Sequence, residues 1–365
     1  EKALSDLWRD VIGHGRFGID QSFYSAGGDS LGIIHLTLDA ARTGIDAFPA
    51  QTAEGKTIRE LAAQTSKTEA FAMSADDLRA RIAFDAHMQS RIAAASQRPA
   101  EADTAAAPIL LTGATGCLGS RVLAELLTRT KADIYCLVRA GDDAAALTRI
   151  EKTFAKYGLP LPPVHAARLH ALAGDAAQPR LGLPAATYDM LAGRIGAIYH
   201  CAATVNMLAD FDTLAPANLE ATRHVLDLAL SGRRKDIHAA STLSVFVSTD
   251  QNTGTLYEDD RLQNVRRVYG GYAQTKFAAE CLLLNVPEEA CRIWHYRFGL
   301  LTGDTRSGAA PERDFLALFG QGLAALGVMP EGFDGKLHVD ITPVDYAARA
   351  MAHLSRHGLP VPGPI

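Results

Sequence analysis

The sequence has 365 residues, of which 48% are hydrophobic and 21% charged, a balance typical of folded soluble protein. This length predicts roughly two domains, and the net charge of −5 indicates neither a nucleic-acid-binding surface nor a polybasic membrane face. The five cysteines form no CxxC pair, and no apolar run reaches the ~20 residues of a membrane span. We therefore expect a cytoplasmic protein with reduced thiols and no metal site.

The first seventy residues predict a small helical bundle. A first helix carries an apolar stripe and ends at Gly13, a second begins near Leu31, and Ile58 and Leu61 mark a later one. The stripe of the first helix consists of Leu4, Leu7, Trp8, Val11 and Ile12. A bundle this small has little room for an active-site cleft, so its informative feature is Ser30 at a helix start.

A specific motif surrounds Ser30. The stretch 23–31 resembles the attachment motif of peptidyl carrier domains in nonribosomal peptide synthetases and carboxylic acid reductases, in which the serine of GGDSL carries a 4′-phosphopantetheine arm. The resemblance implies that Ser30 is the attachment site and that residues 1–70 form a carrier domain. A phosphodiester there would meet unpaired amides and the positive end of the helix dipole. A serine before a helix can also be a plain N-cap.

Residues 71–107 predict a linker. They are rich in alanine with interleaved charges, and Leu78, Ile82 and Met88 are spaced for a helix that rests against the next domain. Arg98 should end this helix, because the residue before a proline is pushed away from helical geometry.

A dinucleotide-binding turn follows at residues 109–127. The apolar run 109–112 breaks at glycines and resumes at helical spacing, which predicts a strand, a tight turn and a helix. Glycine allows the backbone to approach a pyrophosphate closely, and the amides at the helix start face the anion. Alternatively, the glycines serve only close packing of the strand against the helix and bind no cofactor. The expected cofactor contacts are Thr112, Gly113, Thr115, Gly116, Cys117, Leu118 and Gly119.

Strands alternate with helices beyond this turn, which predicts a parallel, doubly wound sheet. The second strand ends at Arg139, and an arginine there suits a 2′-phosphate, so we predict NADPH rather than NADH. Arg149 is either a second cation for that phosphate or a solvated surface residue. Asp175 resembles the adenine-contacting acid of short-chain dehydrogenases, and Ala202 lies in a segment resembling their small-residue stretch beside the cofactor. We expect His200 to be a packed strand residue.

The predicted catalytic residues lie further on. A fifth strand, 238–245, ends in hydroxyl residues, and a later helix places Tyr272 and Lys276 on one face. Hydride transfer to a carbonyl needs a proton donor, and a tyrosine whose pKa is lowered by an adjacent ammonium can serve. The set matches the Ser/Thr and Tyr-x-x-x-Lys residues of short-chain dehydrogenases. We assign Thr242 to carbonyl positioning, Tyr272 to acid catalysis, and Lys276 to tyrosine activation and the nicotinamide ribose; Ser241 and Ser244 are possible substitutes for Thr242.

The region from Ile109 onward resembles the thioester reductase domains that end certain peptide synthetases, a branch of the extended short-chain dehydrogenases. The resemblance rests on the stretches 270–280, 296–299, 302–304 and 339–346. The family usually has proline where Phe298 stands, which should alter packing near the nicotinamide. The resemblance implies a Rossmann-type domain over 108–365, with 303–330 as part of a helical substrate lobe. Because such reductases usually continue further, we expect a truncated chain with an incomplete lobe.

The combined resemblance implies NADPH-dependent reductive release of an acyl or peptidyl thioester from Ser30 as an aldehyde, with a second round giving an alcohol. The expected partners are upstream adenylation or condensation modules, a phosphopantetheinyl transferase and the tethered substrate. Two alternatives are an extended short-chain dehydrogenase acting on free substrates and a non-redox release or cyclisation domain. Tyr272 and Lys276 favour the redox interpretation, because non-redox domains typically lack the tyrosine.

Overall fold

The computed structural model describes residues 1–29, 32–33, 35–36, 39–40, 49–65, 75–99, 107–206, 209–246, 257, 268, 270–311, 315–327 and 340–357. The N-terminal part contains helices α1 (Lys2–Ile12), α2 (Pro49–Ala53) and α3 (Ile58–Thr65), and residues 32–33, 35–36 and 39–40 are also helical. Gly13 ends α1 in the left-handed conformation with a φ of 82°. The predicted helical carrier region is therefore confirmed.

Phe23 organises the core of this carrier region. Its ring packs edge-on against Trp8, with the ring centroids 5.0 Å apart. A Cβ atom at Gly28 would lie 2.3 Å from the Phe23 ring, so this position excludes a side chain. Asp29 is the N-cap of the next helix, since its Oδ1 accepts from the Gly32 amide at 2.6 Å and its carbonyl accepts from the Ile33 amide. Ser30, the predicted attachment site, lies outside the described residues.

Two helices occupy much of the predicted linker, α4 (Ala75–Ile82) and α5 (Ala86–Ser96). Both pack against the reductase region: Ile82 joins a cluster with Leu282, and Met88 joins the main core. Arginines fasten the same contact, because Arg223 donates to the Arg81 carbonyl at 2.7 Å and Arg98 donates to the Leu230 carbonyl at 2.7 Å. The part 75–99 of the predicted linker is therefore attached to the reductase region.

The reductase region is built on a parallel sheet of six strands in the order β3-β2-β1-β4-β5-β6. The strands are β1 (Ile109–Thr112), β2 (Ile134–Val138), β3 (Leu169–Ala173), β4 (Ala197–His200), β5 (Asp236–Thr242) and β6 (Arg292–Phe298). This order is that of a doubly wound dinucleotide-binding fold, which confirms the predicted fold class. β5 is shorter than predicted, because the chain turns at Thr242 into a 3₁₀ helix, Leu243–Phe246.

Helices cover both faces of the sheet. They are α6 (Cys117–Arg129), α7 (Asp143–Lys156), α8 (Pro163–Ala166), α9 (Ala185–Arg194), α10 (Phe211–Ala215), α11 (Ala221–Ala229) and α12 (Gly271–Leu284). Ile109 and Leu111 of β1 face a core shared with α6 and α7, whereas Leu110 faces a core shared with α9 and α11. The sheet is thus buried on both sides, as its continuous apolar strands predict.

The remaining elements follow β6. A small parallel sheet joins β7 (Leu300–Thr302) to β8 (Ile341–Pro343), α13 is Phe315–Leu326, and α14 is Val344–His357. α14 packs against α6 through Ala348 and Met351. α13, inside the predicted lobe segment 303–330, leaves Leu318, Phe319 and Leu326 exposed. Within the described part of the chain, no helix has the length and apolar character needed to cross a membrane.

Candidate active site

The glycine turn between β1 and α6 is packed too closely for side chains. Gly113 has a φ of 81°, and a Cβ atom there would lie 2.6 Å from the Ala202 nitrogen. A Cβ atom at Gly119 would lie 2.1 Å from the Gly113 carbonyl oxygen. Gly116 closes the turn by donating its amide to the same oxygen at 2.9 Å. The glycines therefore bring β1, the helix start and the end of β4 into direct backbone contact.

A cavity of about 370 Å³ lies in front of this turn, at the carboxyl ends of β1, β2, β3 and β4. The turn and the three neighbouring strand ends all contribute to its wall. Of the predicted cofactor contacts, the residues that line it are Thr112, Gly113, Thr115, Gly116, Arg139, Arg149, Asp175 and Ala202. The structure thus gathers side chains from four separate strand ends, which is where ligands bind in open parallel sheets.

Three other predicted contacts lie in the first turn of α6 and do not line the cavity. Gly119 packs on Gly113, Leu118 is partly buried against the core, and the Cys117 carbonyl accepts from the buried Arg121 at 3.1 Å. Their local role is to seat the start of α6 on the turn. The amides at a helix start are the groups that stabilise a bound anion.

The far end of the cavity is cationic. Arg139 and Arg149 are both exposed there, and the Arg149 guanidinium donates to the Arg139 carbonyl oxygen. Asp175 accepts from the Ala177 amide at 3.0 Å, and its own amide donates to the Leu181 carbonyl at 2.9 Å. The two arginines thus lie at one mouth of the cavity, and the carboxylate is fixed by its own backbone turn.

His200 connects the cavity wall to α11 through a buried chain of hydrogen bonds. The Ala202 amide donates to Thr112 Oγ1 at 3.3 Å, and Thr112 Oγ1 lies 2.8 Å from His200 Nδ1. His200 Nε2 lies 3.1 Å from the Thr222 hydroxyl, which itself donates to the Asn218 carbonyl at 2.7 Å. Because that hydroxyl proton is used, Nε2 must be the donor and Nδ1 the acceptor. Burial lowers the pKa of His200 to about 3, so it is a neutral packed residue.

The hydroxyl residues at the end of β5 have distinct environments. Thr242 is partly exposed, and its hydroxyl donates to Ser244 Oγ at 3.1 Å. Ser241 is buried, and its hydroxyl donates to the Glu280 carboxylate at 2.6 Å. Thr242 is therefore the more accessible of the two, while the Ser241 hydroxyl is committed to an internal partner.

Tyr272 and Lys276 lie one turn apart at the start of α12. Lys276 is 7% exposed, and its Nζ donates to the Ala240 carbonyl of β5 at 2.7 Å. Burial lowers the pKa of Lys276 to about 8, with Glu280 and Cys201 opposing the shift. Burial raises the pKa of Tyr272 to about 12, whereas we expected an adjacent ammonium to lower it. Burial of the phenol therefore decides the direction of the shift, and the phenol keeps its proton at neutral pH.

Asn218 is a site residue that sequence reasoning missed. It lies in a π-helical turn, Pro216–Glu220, that joins α10 to α11. Its Oδ1 accepts from the Thr204 amide at 2.7 Å, and its Nδ2 donates to the Thr275 hydroxyl at 3.0 Å. Since Thr204 lines the cavity and Thr275 lies close to Tyr272 on α12, Asn218 joins the cavity wall to that helix. The sequence signal that could have identified Asn218 is an asparagine that follows a proline inside an apolar helical segment.

The arrangement fits a nicotinamide dinucleotide. The glycine contacts hold the start of α6 at the cavity, where its amides can bind a pyrophosphate. Asn218 links Thr204 of the cavity wall to Thr275 of the Tyr272 helix, although Tyr272 and Lys276 do not themselves line the cavity. A protonated phenol and an ammonium near a bound carbonyl can give a proton to its oxygen and stabilise it.

Two protein families match this chain. Residues 111–351 match the NAD-binding family described as "Male sterility protein", and residues 2–64 match the "Phosphopantetheine attachment site" family. The first match covers the parallel sheet, the glycine turn and α12. The second covers the carrier region around Phe23 and Asp29.

Individual relatives agree with the family matches. The chain is 33% identical to a linear gramicidin synthase of Brevibacillus parabrevis over 97% of its own length, but it spans only 7% of that protein. The terminal R domain of a myxalamid biosynthetic pathway is 35% identical, with a TM-score of 0.69 over 77% of this chain and 70% of that one. A reductase domain of a nonribosomal peptide synthetase from Mycobacterium tuberculosis is 29% identical, with a TM-score of 0.65 over 78% and 70% of the two chains. The predicted relationship is confirmed: the chain belongs to the NAD-binding "Male sterility protein" family, as a carrier domain followed by a thioester reductase domain of the peptide synthetase type.

Proposed function

We propose that this chain releases an acyl or peptidyl group, held as a thioester on a phosphopantetheine arm at Ser30, by NADPH-dependent reduction to an aldehyde, with a second reduction giving the alcohol. The observation that carries the proposal is the hydrogen-bonded link through Asn218 between the wall of the glycine-turn cavity and the Tyr272 helix. A reducing cofactor and a proton donor are both needed at one carbonyl, and this link supports their assignment to neighbouring positions.

Tyr272 and Thr242 are assigned to the reacting carbonyl. Addition of hydride to the carbonyl carbon moves the π electron pair onto oxygen, and Tyr272 gives its phenolic proton to that oxygen. Thr242 orients the oxygen by a hydrogen bond. Lys276, whose ammonium is bound at the Ala240 carbonyl, is assigned to the nicotinamide ribose. The C–S bond then breaks as C=O reforms, the hydroxyl proton returns to the Tyr272 tyrosinate, and the departing thiolate takes a proton from water and leaves as a thiol. The products are the aldehyde and the free pantetheine arm.

NADPH, when bound, supplies the hydride. Arg139 and Arg149 are assigned to its 2′-phosphate, because two guanidinium groups at the adenosine end of the cavity suit a dianionic group. Asp175 is assigned to the adenine and Ala202 to the surface beside the cofactor. The turn residues that would hold the pyrophosphate are Thr112, Gly113, Thr115 and Gly116, with Cys117, Leu118 and Gly119 seating the helix start.

Ser30 is assigned as the attachment site of the arm. Asp29 already caps the following helix by accepting from the Gly32 amide, so the capping role does not require the serine. We assign residues 1–70 to the carrier domain and 108–365 to the reductase domain, with 303–330 as part of the substrate lobe. A phosphopantetheinyl transferase would install the arm, and upstream adenylation or condensation modules would load it.

A loading experiment tests the proposal. The full chain is treated with a phosphopantetheinyl transferase and an acyl-coenzyme A, and NADPH oxidation and product mass are then followed. We expect stoichiometric aldehyde or alcohol, and neither product from a fully loaded chain would contradict the proposal.

Variants of the carrier loop separate the proposal from its main rival. Ser30→Ala should abolish product from the tethered group while a free aldehyde is still reduced. Ser25→Ala is the matched control, because the hydrogen bonds given by the described residues join this exposed hydroxyl of the same loop to Ser22, and its loss should leave loading unchanged. Equal product from Ser30→Ala and the unchanged chain would indicate a dehydrogenase of free substrates.

A further inference from the structure

A buried ionic cluster lies beneath the Tyr272 helix, and the mechanism above does not use it. Glu280 is 2% exposed, and both of its carboxylate oxygens are occupied. Oε1 accepts from Arg297 Nε at 2.8 Å and from Nη2 at 2.5 Å, and Oε2 accepts from the Ser241 hydroxyl at 2.6 Å. The Arg297 guanidinium also stacks over the Phe246 ring at 4.7 Å. The pair is therefore fixed between α12 and the β5–β6 strands, with its hydrogen bonds satisfied.

The fold directs this carboxylate toward the catalytic lysine. Ser241 and Arg297 are register partners in β5 and β6, so their side chains emerge on the same face of the sheet. Glu280 lies four residues after Lys276 on α12, which places the two on one helix face. The Lys276 ammonium is bonded to Ala240, the residue before Ser241. Consecutive residues of β5, Ala240 and Ser241, thus bind the ammonium and the carboxylate, and Glu280 favours the charged form of Lys276.

Among the described titratable groups around Lys276, Glu280 is the one that carries a negative charge at neutral pH. Burial lowers the pKa of His200 to about 3 and that of His295 to about 4, and it raises the pKa of the Cys201 thiol to about 12. These three groups are therefore neutral near pH 7. Burial disfavours the charged form of Glu280, but a protonated His295, together with the Arg297 guanidinium and the Ser241 hydroxyl, outweighs burial and holds the pKa of Glu280 below its ordinary value. The titratable groups that interact with the ammonium are His200 from β4, Cys201 just after it, His295 from β6 and Glu280 from α12.

We propose that Glu280 is a positioning residue for Lys276: with Arg297 and Ser241 it forms an internal counter-charge that keeps the ammonium protonated at Ala240 while the reaction runs. This inference rests on the proposed function. Neutralising Glu280 removes the attraction and leaves the Arg297 cation uncompensated, so Lys276 loses its proton at lower pH. Neutralising Arg297 leaves the anion and removes a cation, so Lys276 keeps its proton to higher pH.

The pH profile of aldehyde reduction tests this pair of opposite effects. For the unchanged chain, kcat/KM should fall as pH rises through about 8, where Lys276 loses its charge. Glu280→Gln should move this alkaline limb down by about one pH unit, and Arg297→Gln should move it up. The control is Asp236→Asn, which breaks the Arg292 pair at the other end of the same two strands and should leave the limb in place.

A second readout does not depend on activity. Trace acetylation of amines over a pH series, read by mass spectrometry with the exposed Lys131 as reference, reports the titration of Lys276 directly. Coincident titration curves for Glu280→Gln and the unchanged chain, or shifts of both variants in the same direction, would overturn the inference. If Glu280→Gln does not fold, Arg297→Gln alone tests the inference: an upward shift of the Lys276 titration supports it, and an unshifted titration overturns it. An inactive but normally titrating unchanged chain would refute the proposed function alone.

Discussion

Replacing Gly119 by alanine should weaken NADPH binding through backbone displacement alone. The added Cβ atom would lie 2.1 Å from the Gly113 carbonyl oxygen and 2.7 Å from its carbon, and neither is the end of a flexible side chain. An ordinary contact of about 3.5 Å requires the start of α6 to move by more than ~1 Å. Overpacking of this kind costs about 1–3 kcal/mol, which corresponds to a roughly 5- to 150-fold increase in Kd.

Gly141→Ala is the control for this prediction, because its added Cβ atom meets nothing within 4 Å and should leave binding unchanged. NADPH fluorescence titration gives Kd, and thermal unfolding without cofactor checks that each variant is folded. Equal affinities for Gly119→Ala and Gly141→Ala would refute the reasoning.

Three further predictions concern the site and the core. Arg139→Ala should raise the Kd of NADPH about 10- to 150-fold, because a charged hydrogen bond is lost, and should leave the Kd of NADH within twofold. Equal losses of affinity for the two cofactors would contradict the 2′-phosphate assignment. Tyr272→Phe should lower turnover by about 10²- to 10⁴-fold with NADPH affinity retained, measured by steady-state kinetics. Burial lowers the pKa values of His200, His238 and His295 to about 3, 3 and 4, below the ordinary 6.5, so the unfolded chain takes up protons first. The free energy of unfolding should therefore fall as pH drops below about 6.5, and His238→Phe should reduce that slope in urea titrations, by up to ~1.4 kcal/mol per pH unit.

Local patterns predicted the glycine turn well. Strand, turn and helix lie within residues 109–127, so spacing alone specifies that Gly116 and Gly119 meet Gly113. The contact of Gly113 with Ala202 depends instead on the pairing of β1 with β4. The same holds for Tyr272 and Lys276, which are neighbours on one helix. The packing of residues 75–99 against the reductase region was only partly predictable, because its fastening arginines, such as Arg223, are distant in sequence.

Non-local contacts could not be predicted in the same way. The partners of Asn218 lie 14 and 57 residues away, and the Glu280–Arg297 pair depends on the register of β5 and β6. The pKa of Tyr272 was misjudged for the same reason, because its direction is set by burial of the phenol, which depends on how distant segments pack around α12.

The attachment of α4 to the reductase region limits the distance at which the carrier domain can lie from that region. Only residues 66–74 separate the end of α3 from the start of α4, and a fully extended chain of this length spans at most about 35 Å. A carrier confined to that radius presents its arm at an effective concentration on the order of millimolar. Under the proposed function, delivery within one polypeptide should therefore outcompete separate acyl carriers present at micromolar concentration.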